Sequence, residues 1–184
     1  LFHYLNNRVM DQIQLKNLMR IPLLGTIGYS DKNTNLLVAE YPRSLASESF
    51  RSLRSALFYI ASEKKCKRIL ITSSISGEGK TYISLNLASA MALSGKKTCI
   101  MGLDLRKPKL AKYLDVSNKK GLSTFLVDKD SADDIIVKTP YENLYVVPSG
   151  AVPPNPAELL LKDKMGEFLD YLEESFDIII MDCP

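Results

Sequence analysis

Residues 73–81 have the composition and spacing of a phosphate-binding loop. Gly77 and Gly79 let the backbone turn sharply, so that its N–H groups face an anion at the positive end of a following helix. Lys80 would reach the β- and γ-phosphates of a nucleotide, and Thr81 would present its hydroxyl to Mg²⁺. The segment therefore predicts a site for a nucleoside polyphosphate with Mg²⁺.

The loop departs at one position from the pattern G-x-x-x-x-G-K-[S/T], because Ser74 stands where the first glycine is usual. The alternative interpretation is a turn at a helix start in which Gly-Lys-Thr occurs by chance. The surroundings of the loop argue against chance, since a β-rich run precedes it and a helical pattern follows it.

Two aspartates have positions that suit the same chemistry. Asp104 follows one apolar run and Asp182 closes another. Ligands of open α/β sheets bind at the carboxyl ends of parallel strands, and a phosphate site needs carboxylates near its metal ion. Either aspartate alone would also be explained as a turn cap. Their occurrence together with the loop favours one convergent site, in which Thr81, Asp104 and Asp182 are the candidate ligands of Mg²⁺.

The elements that must position these groups alternate between strand and helix patterns. Four β-rich runs predict strands, at residues 68–73, 98–103, 144–147 and 177–182. Helical spacing predicts one helix that Ser44 or Ser47 caps and that ends at residues 63–65, and another from 81 to 94 that Gly95 ends. Because the crossovers are helix-sized and short hairpin connections are absent, we expect an α/β fold with a mainly parallel sheet and helices on both faces.

Composition and charge exclude several classes of protein. With 184 residues, 46% hydrophobic and 24% charged, the chain matches one ordinary globular domain with a short leader. The net charge of +3 is spread along the chain without a dense Lys/Arg tract, so we expect no nucleic-acid partner. No apolar stretch approaches the roughly 20 residues that span a bilayer. Residues 1–20 show only a weak amphipathic-helix pattern.

The three cysteines predict neither a disulfide framework nor a metal centre. Cys66, Cys99 and Cys183 stand singly, without a C-x-x-C pair, and the chain has one histidine. They are typical of buried thiols in a reducing compartment. A separate local signal lies at residues 155–158, where Asn155 can cap a helix and Glu158 would complete a capping box, with proline at the first helical position.

Several of these motifs together resemble those of bacterial tyrosine kinases of the exopolysaccharide-export type. Residues 77–81, 86–88 and 103–108 are similar to the Walker A and Walker A′ motifs of that family. Residues 176–184 resemble its Walker B segment, and residues 148–160 a loop and helix start found in the same proteins. The resemblance covers nearly the whole chain and implies a P-loop NTPase-like fold.

The resemblance implies that the domain binds ATP or ADP with Mg²⁺ and transfers the γ-phosphoryl group to tyrosine. It implies Lys80, Asp104 and Asp182 as catalytic residues, with Asp104 also accepting the tyrosine proton. The implied nucleotide-binding residues are Ser76, Gly77, Glu78, Gly79, Lys80, Thr81 and Tyr82. The basic residues Arg106, Lys107 and Lys109 add positive charge nearby, or form a solvated turn.

The resemblance also implies an assembly. Glu48, Arg51 and Arg54 match the family's E-x-x-R-x-x-R motif, so we expect a ring-like homo-oligomer formed through them. The alternative is an intrahelical Glu48–Arg51 pair, worth only about 0.2–0.5 kcal/mol. The implied acceptor is the tyrosine-rich tail of a neighbouring subunit, and the implied partners are the polysaccharide export machinery.

The implied location is the cytoplasmic face of the bacterial inner membrane, in a parent protein anchored upstream. Residues 1–40 would be a juxtamembrane leader and linker, and residues 41–184 the P-loop kinase or ATPase domain. We expect that domain to be truncated at its C-terminal side, because the remaining strands and the tyrosine-rich tail of the family would follow Pro184.

One position departs from the family's pattern and leaves alternatives open. Gly102 stands where a second Walker A′ aspartate is often found, so one acidic group of the expected cluster is missing. The second hypothesis is therefore a nucleotide-binding, non-catalytic regulatory module of a polysaccharide chain-length or export complex. A third is a partition or septum-positioning ATPase, which ranks last because residues 74–76 lack that class's early second lysine.

Overall fold

The computed structural model describes residues 20–60 and 66–184. The amphipathic pattern predicted over residues 1–20 lies outside the described residues, apart from Arg20. The same is true of residues 63–65, which were expected to end the first long helix. Within the described ranges, no helix is both long enough and apolar enough to cross a bilayer.

The structure contains the predicted strands and helices together with further helices and one further strand that the sequence pattern did not predict. The helices are α1 Leu37–Glu40, α2 Leu45–Ile60, α3 Lys80–Ala92, α4 Leu110–Tyr113, α5 Leu122–Leu126, α6 Ala132–Ile135, α7 Pro156–Leu160 and α8 Asp163–Ser175. The strands are β1 Lys67–Ile71, β2 Thr98–Gly102, β3 Val137–Lys138, β4 Leu144–Val147 and β5 Ile178–Asp182. All four predicted strands are present, with small shifts at their ends.

The sheet has the strand order β1-β5-β2-β4-β3. The pairs β1/β5, β5/β2 and β2/β4 are parallel, which confirms the predicted mainly parallel sheet. β2 and β5 are buried along their whole length, as unbroken apolar strands must be when helices cover both faces. β1 lies at an edge of the sheet and alternates in exposure.

The expectation that short hairpin connections are absent is wrong at the other edge. β3 pairs antiparallel with β4 across residues 139–143. The Thr139 N–H donates to the Leu144 carbonyl (3.1 Å), and Asn143 has φ +59° in the turn. A strand of two residues is too short to leave a period-two pattern in the sequence.

Two apolar cores lie on the two faces of the sheet. One core lies between the sheet and helices α2 and α3, and it joins Ile100 to Phe50. The other core lies between the sheet and helices α5, α7 and α8, and it joins Met101 to Phe168. Because successive side chains of a strand point to opposite faces, neighbouring residues of β2 contribute to both cores. The predicted helices on both faces are therefore confirmed.

Helix α3 ends as the sequence predicts. Gly95 has φ +82°, its N–H donates to the Ala92 carbonyl (2.9 Å), and the Lys96 N–H donates to the Met91 carbonyl (3.4 Å). This pattern is a Schellman motif, which needs the left-handed backbone that glycine adopts without strain. The stop fixes the length of the helix whose start carries the predicted site.

Two predicted helix starts have different outcomes. Ser44 caps α2, because its Oγ accepts a hydrogen bond from the Ser47 N–H (3.2 Å). Pro156 takes the first position of α7, but the Asn155 side chain makes no capping bond to the backbone. Asn155 Nδ2 instead donates to Glu158 Oε2 (2.7 Å). The predicted capping box is therefore wrong, since the two side chains pair with each other.

The segment before α1 is tied to α3 by one buried amide. Asn86 Nδ2 donates to the Asn35 carbonyl (2.9 Å), and Asn86 Oδ1 accepts from the Val38 N–H (2.9 Å). Asn86 is fully buried, so these bonds satisfy a polar group that would otherwise be costly. They hold Asn35 beside the start of the helix that follows the glycine-containing loop.

Candidate active site

The loop between β1 and α3 has the backbone that its glycines predict. Gly77 has φ +96° and Gly79 has φ +90°, both in the left-handed region that other residues rarely adopt. Lys80 begins α3, and its Nζ donates to Ser73 Oγ across the loop (3.0 Å). The loop therefore holds the Lys80 ammonium at the start of a helix, and both the ammonium and the positive end of the helix would stabilise a bound anion.

Glu78 differs from its neighbours in the loop. Its Oε2 accepts a hydrogen bond from the Ile75 N–H (3.1 Å), and that backbone bond, with Ser73 next, lowers the pKa of the Glu78 carboxyl. Glu78 does not line the cavity that the rest of the loop borders. Its side chain therefore braces the loop and borders a neighbouring cavity that it shares with Gly79 and Tyr82.

Asp182 is the most strongly held carboxylate of the site. Its Oδ2 accepts from Thr81 Oγ1 (2.8 Å) and its Oδ1 from Ser84 Oγ (2.8 Å), while the residue is 4% exposed. Burial raises the pKa of Asp182, and the hydrogen bonds from Ser84 and Thr81 and the charge of Lys80 oppose that rise. The ionised form is therefore costly in the free protein and would be stabilised by a cation.

Asp104 is oriented by its own turn. Its Oδ1 accepts from the Arg106 N–H (3.0 Å) and the Lys107 N–H (2.9 Å), which forms an Asx turn directly after β2. Its Oδ2 accepts no hydrogen bond from residues 20–60 or 66–184. The carboxylate is only half-buried, so it keeps one oxygen for a ligand while the turn fixes its direction.

One cavity of about 200 Å³ brings most of the predicted site together. The predicted residues that line it are Ser76, Gly77, Gly79, Lys80, Thr81, Tyr82, Asp104 and Asp182. It lies at the carboxyl ends of β1, β5, β2 and β4, where the parallel sheet was expected to bind its ligand. The lining residues Lys107 and Lys109 add positive charge.

Sequence reasoning missed several residues of the cavity wall, among them Asn35, Tyr113, Ser149 and Cys183. Ser149 follows the end of β4 in the same way that Asp104 follows β2, so the rule of strand ends was the signal that would have found it. Asn35 had no such signal, because Asn86 brings it to the site from a distant part of the chain.

Two of the three cysteines are buried, as predicted. Cys66 and Cys99 are buried, and burial raises the pKa of the Cys99 thiol to about 12. Cys183 is half-buried beside Asp182, and burial raises its pKa as well. Burial raises the pKa of the Cys66 thiol too, so all three thiols ionise less readily than a free cysteine does.

The oxygen groups of the site fit Mg²⁺ bound together with phosphates. Thr81 gives its hydroxyl proton to Asp182, so the lone pairs of Thr81 Oγ1 are free for a cation. Mg²⁺ in nucleotide sites takes few protein ligands and completes its shell with phosphate oxygens and water. Within the described ranges, no group of three or more His, Cys, Asp or Glu residues is arranged to hold a metal without such phosphates.

The three residues expected to form an oligomer contact lie along α2 and find partners inside the chain. Arg51 Nε donates to Glu48 Oε2 (3.0 Å), the intrahelical pair that was the alternative interpretation. Arg54 Nη1 donates to the Ala90 carbonyl at the back of α3 (2.8 Å). Glu48 is exposed. The oligomer contact stays a prediction.

Comparisons with known proteins agree with this geometry. The profile of the AAA domain family matches residues 66–184. The Staphylococcus aureus protein CapB is 38% identical over 149 residues, which are 81% of this chain and 65% of CapB. The tyrosine-protein kinase Etk of Escherichia coli K12 is 34% identical over 153 residues, which are 83% of this chain and 21% of Etk.

Solved structures separate the kinase-like and the septum-positioning classes. The kinase domain of Escherichia coli tyrosine kinase Etk superposes with a TM-score of 0.89 at 31% identity, over 95% of this chain and 72% of that one. The septum site-determining protein MinD of Pyrococcus horikoshii, solved with Mg-ADP, has a TM-score of 0.57 at 31% identity, over 65% of this chain and 49% of MinD.

The likeness to the Etk kinase domain covers 95% of this chain, whereas the likeness to MinD covers 65% of it. The chain spans less than two thirds of the length of CapB and about a fifth of the length of Etk. With the loop, the two aspartates and the cavity in the arrangement described above, the chain belongs to the AAA domain family and, within it, to the bacterial tyrosine-kinase domains.

Proposed function

We propose that this chain is an ATP-dependent, autophosphorylating protein-tyrosine kinase domain that regulates the biosynthesis and export of an exopolysaccharide or capsule. The observation that carries the proposal is the meeting of Lys80, Thr81, Asp104 and Asp182 around one cavity. They supply a cation, a hydroxyl and two carboxylates, which are the groups that phosphoryl transfer from ATP requires.

In this proposal the phosphates of ATP lie on the loop amides, at the positive end of α3, with Lys80 beside them. Mg²⁺, held by Thr81, Asp104 and Asp182, would neutralise charge on the phosphate oxygens. The protein contributes mainly positioning and a fixed field, because there is little covalent chemistry for its own groups to do.

Asp104 is the proposed acceptor of the tyrosine proton. The phenol oxygen forms a bond to the γ-phosphorus, the bond from that phosphorus to the β–γ bridging oxygen breaks, and ADP leaves. A carboxylate is a weak base for a phenol of pKa about 10, so the proton moves late, as the new bond forms. The Asx turn supports this role, because it occupies Oδ1 and leaves the two lone pairs of Oδ2, one for Mg²⁺ and one for the proton.

The experiment is phosphorylation of a tyrosine peptide with labelled ATP and Mg²⁺. We expect label on tyrosine, and a loss of rate of about 10²–10³-fold in Lys80→Met, since one charge that stabilises the transition state is removed. Lys112→Met is the matched control, because Lys112 is exposed on α4 and does not line the cavity. Nucleotide binding without labelling would contradict the proposal.

A second candidate is a nucleotide-binding, non-catalytic regulatory module of a polysaccharide chain-length or export complex. Gly102 favours this candidate, because the cavity wall at the end of β2 carries no side chain there. The same assay separates the two functions. A regulatory module would bind nucleotide but would transfer no label to the tyrosine peptide, whether or not Lys80 is replaced. A septum-positioning ATPase ranks third, given the lower likeness to MinD.

We also propose the assembly and location that the family implies. Glu48, Arg51 and Arg54 would form a ring-like homo-oligomer, with a neighbouring subunit's tyrosine-rich tail as acceptor and the polysaccharide export machinery as partner. The domain, residues 41–184, would lie at the cytoplasmic face of the inner membrane behind a leader of residues 1–40. Replacing the three charged residues with alanine should shift sedimentation toward the monomer, and an unchanged profile would remove the claim.

A further inference from the structure

Ser149 lies on an unusually well-fixed loop after β4. Leu122 N–H donates to the Pro148 carbonyl (2.8 Å), and Ser123 N–H donates to the Ser149 carbonyl (2.9 Å). Asn118 brackets Gly150, with Nδ2 donating to its carbonyl (2.8 Å) and Oδ1 accepting from its N–H (3.0 Å). A residue held this way has a fixed direction before any ligand arrives.

The loop also lies so close to its support that no side chain fits between them. A Cβ at Gly121 would lie 2.3 Å from the Pro148 carbonyl oxygen and 2.4 Å from the Gly150 nitrogen. Gly150 itself has φ +81°, which a residue with a side chain rarely adopts. The position of Ser149 is therefore set by backbone packing on both sides of it.

The Ser149 hydroxyl is directed by a single bond. Its Oγ donates to the Gly102 carbonyl (3.0 Å), and a Cβ at Gly102 would lie only 2.5 Å from that Oγ. A side chain at position 102 would therefore compete with the Ser149 hydroxyl for the same space. Since its proton is engaged, the hydroxyl offers only lone pairs, so it can accept a hydrogen bond from a ligand.

The strand order decides which part of a ligand can reach the Ser149 hydroxyl. The loop residues and Lys80 follow β1, Asp182 ends β5, Asp104 follows β2 and Ser149 follows β4. Neighbouring strands are about 4.8 Å apart, so the β4 end lies one strand spacing from the β2 end with Asp104 and roughly 14 Å from the β1 end. In the proposed function the phosphates would lie at the β1 end, and in-line transfer would put the acceptor oxygen on the far side of the γ-phosphoryl group, where Asp104 would take its proton.

We propose that the Ser149 hydroxyl is a binding residue for the phosphoryl acceptor: in the bound complex, before transfer, it accepts the hydrogen bond of the acceptor's hydroxyl group, whose single proton passes to Asp104 only as the new bond to phosphorus forms. The inference rests on the proposed kinase function. In this inference Ser149 recognises the tyrosine hydroxyl itself, since a phenylalanine in place of the substrate tyrosine has no proton to donate. A phenylalanine peptide would leave the buried Ser149 oxygen without a hydrogen bond, and that cost distinguishes the two peptides.

The test measures the affinity of two fluorescein-labelled peptides, identical except for one tyrosine or phenylalanine, by anisotropy in the presence of Mg-ADP. The wild-type protein should prefer the tyrosine peptide by about five-fold or more, and Ser149→Ala should lose that preference. The affinity for Mg-ADP should stay unchanged in the variant. Ser149→Cys nearly keeps the volume but is a poor hydrogen-bond acceptor, so it should lose the preference as well. It replaces Ser149→Ala as the test if the alanine variant folds poorly.

Ser123→Ala is the matched control, because Ser123 Oγ donates to the Ala151 carbonyl (2.6 Å) in the same braced loop but does not line the cavity. Its tyrosine preference should remain. The inference is overturned if the wild-type protein shows no preference, if Ser149→Ala keeps it, or if Ser149→Ala weakens Mg-ADP instead. Because anisotropy needs no turnover, the two failures can be told apart: a wild-type protein that discriminates through Ser149 without phosphorylating would contradict the proposed kinase function, and Ser149 would then recognise a bound tyrosine rather than a phosphoryl acceptor.

Discussion

The two halves of the cavity are built in different ways. On the β1–β5 side, which comprises residues 73–81 and Asp182, polar side chains bond to one another: Lys80 donates to Ser73, and Thr81 donates to Asp182. On the β2–β4 side, which comprises Gly102, Asp104 and Ser149, each polar side chain is held by backbone groups.

The difference shows how the charge of each half is controlled. On the β1–β5 side the charge of the half-buried Lys80 ammonium already opposes the rise in the pKa of the buried Asp182 carboxylate, so a phosphate and its metal ion would change interactions that the free protein has. On the β2–β4 side the backbone fixes two acceptors whose free lone pairs meet no donor in the described residues. The first half is arranged for a charged ligand, and the second for a group that gives up a proton.

The largest expected effect on nucleotide affinity is the loss of the carboxylate on the β1–β5 side. Asp182→Asn removes the charge but keeps a group that exchanges hydrogen bonds with Thr81 and Ser84. We expect the Mg²⁺-dependent part of ADP affinity to fall by about 10- to 100-fold. Calorimetric titration with ADP, with and without Mg²⁺, measures this effect.

Asp104→Asn is the comparison on the other side, where the Asx turn is retained and the loss should be smaller. Equal losses in the two variants would mean that the two halves of the cavity do not differ as described.

The next effect tests the packing of the β2–β4 side. Gly102→Ala places a methyl group 2.5 Å from Ser149 Oγ, so we expect a loss of about 1–3 kcal/mol in the free energy of unfolding. Ser149→Gly in the same chain removes the obstacle and should restore most of that loss. Chemical denaturation of the single and double variants measures the coupling. Additive losses would show that Gly102 and Ser149 do not share the space.

The smallest effect is a dependence on pH that belongs to the β1–β5 side. Burial raises the folded-state pKa of Asp182 above its ordinary 3.8, so the folded protein takes up this proton before the unfolded chain does. The ionised carboxylate therefore costs stability at neutral pH, and that cost disappears as the pH falls through the raised pKa toward 3.8. Asp182→Asn should be the more stable protein at neutral pH.

The advantage of Asp182→Asn should shrink on acidification, as measured by thermal unfolding of both proteins across this range. A constant difference in stability would show that the pKa of Asp182 is not raised. Over the same range the wild-type affinity for Mg-ADP should weaken, because the proton competes with the cation for the carboxylate.

Local signals predicted the elements more reliably than the contacts between side chains. The strands and the stop of α3 at Gly95 follow from apolar runs and from a backbone angle that only the neighbouring residues decide. The Asn155–Glu158 capping box was wrong because the same residue types also allow a bond between the two side chains. β3 escaped prediction because two residues carry no periodic pattern.

The sequence by itself determined the unit of strand, loop and helix around Lys80, because glycine angles, a strand-end turn and a helix start are properties of a few consecutive residues. Only the tertiary structure decided which strand ends are neighbours. The order β1-β5-β2-β4 brings Asp182 to Thr81 and Ser149 to Gly102. That order depends on packing helices over both faces of the sheet, and a buried apolar strand has much the same sequence at any central position.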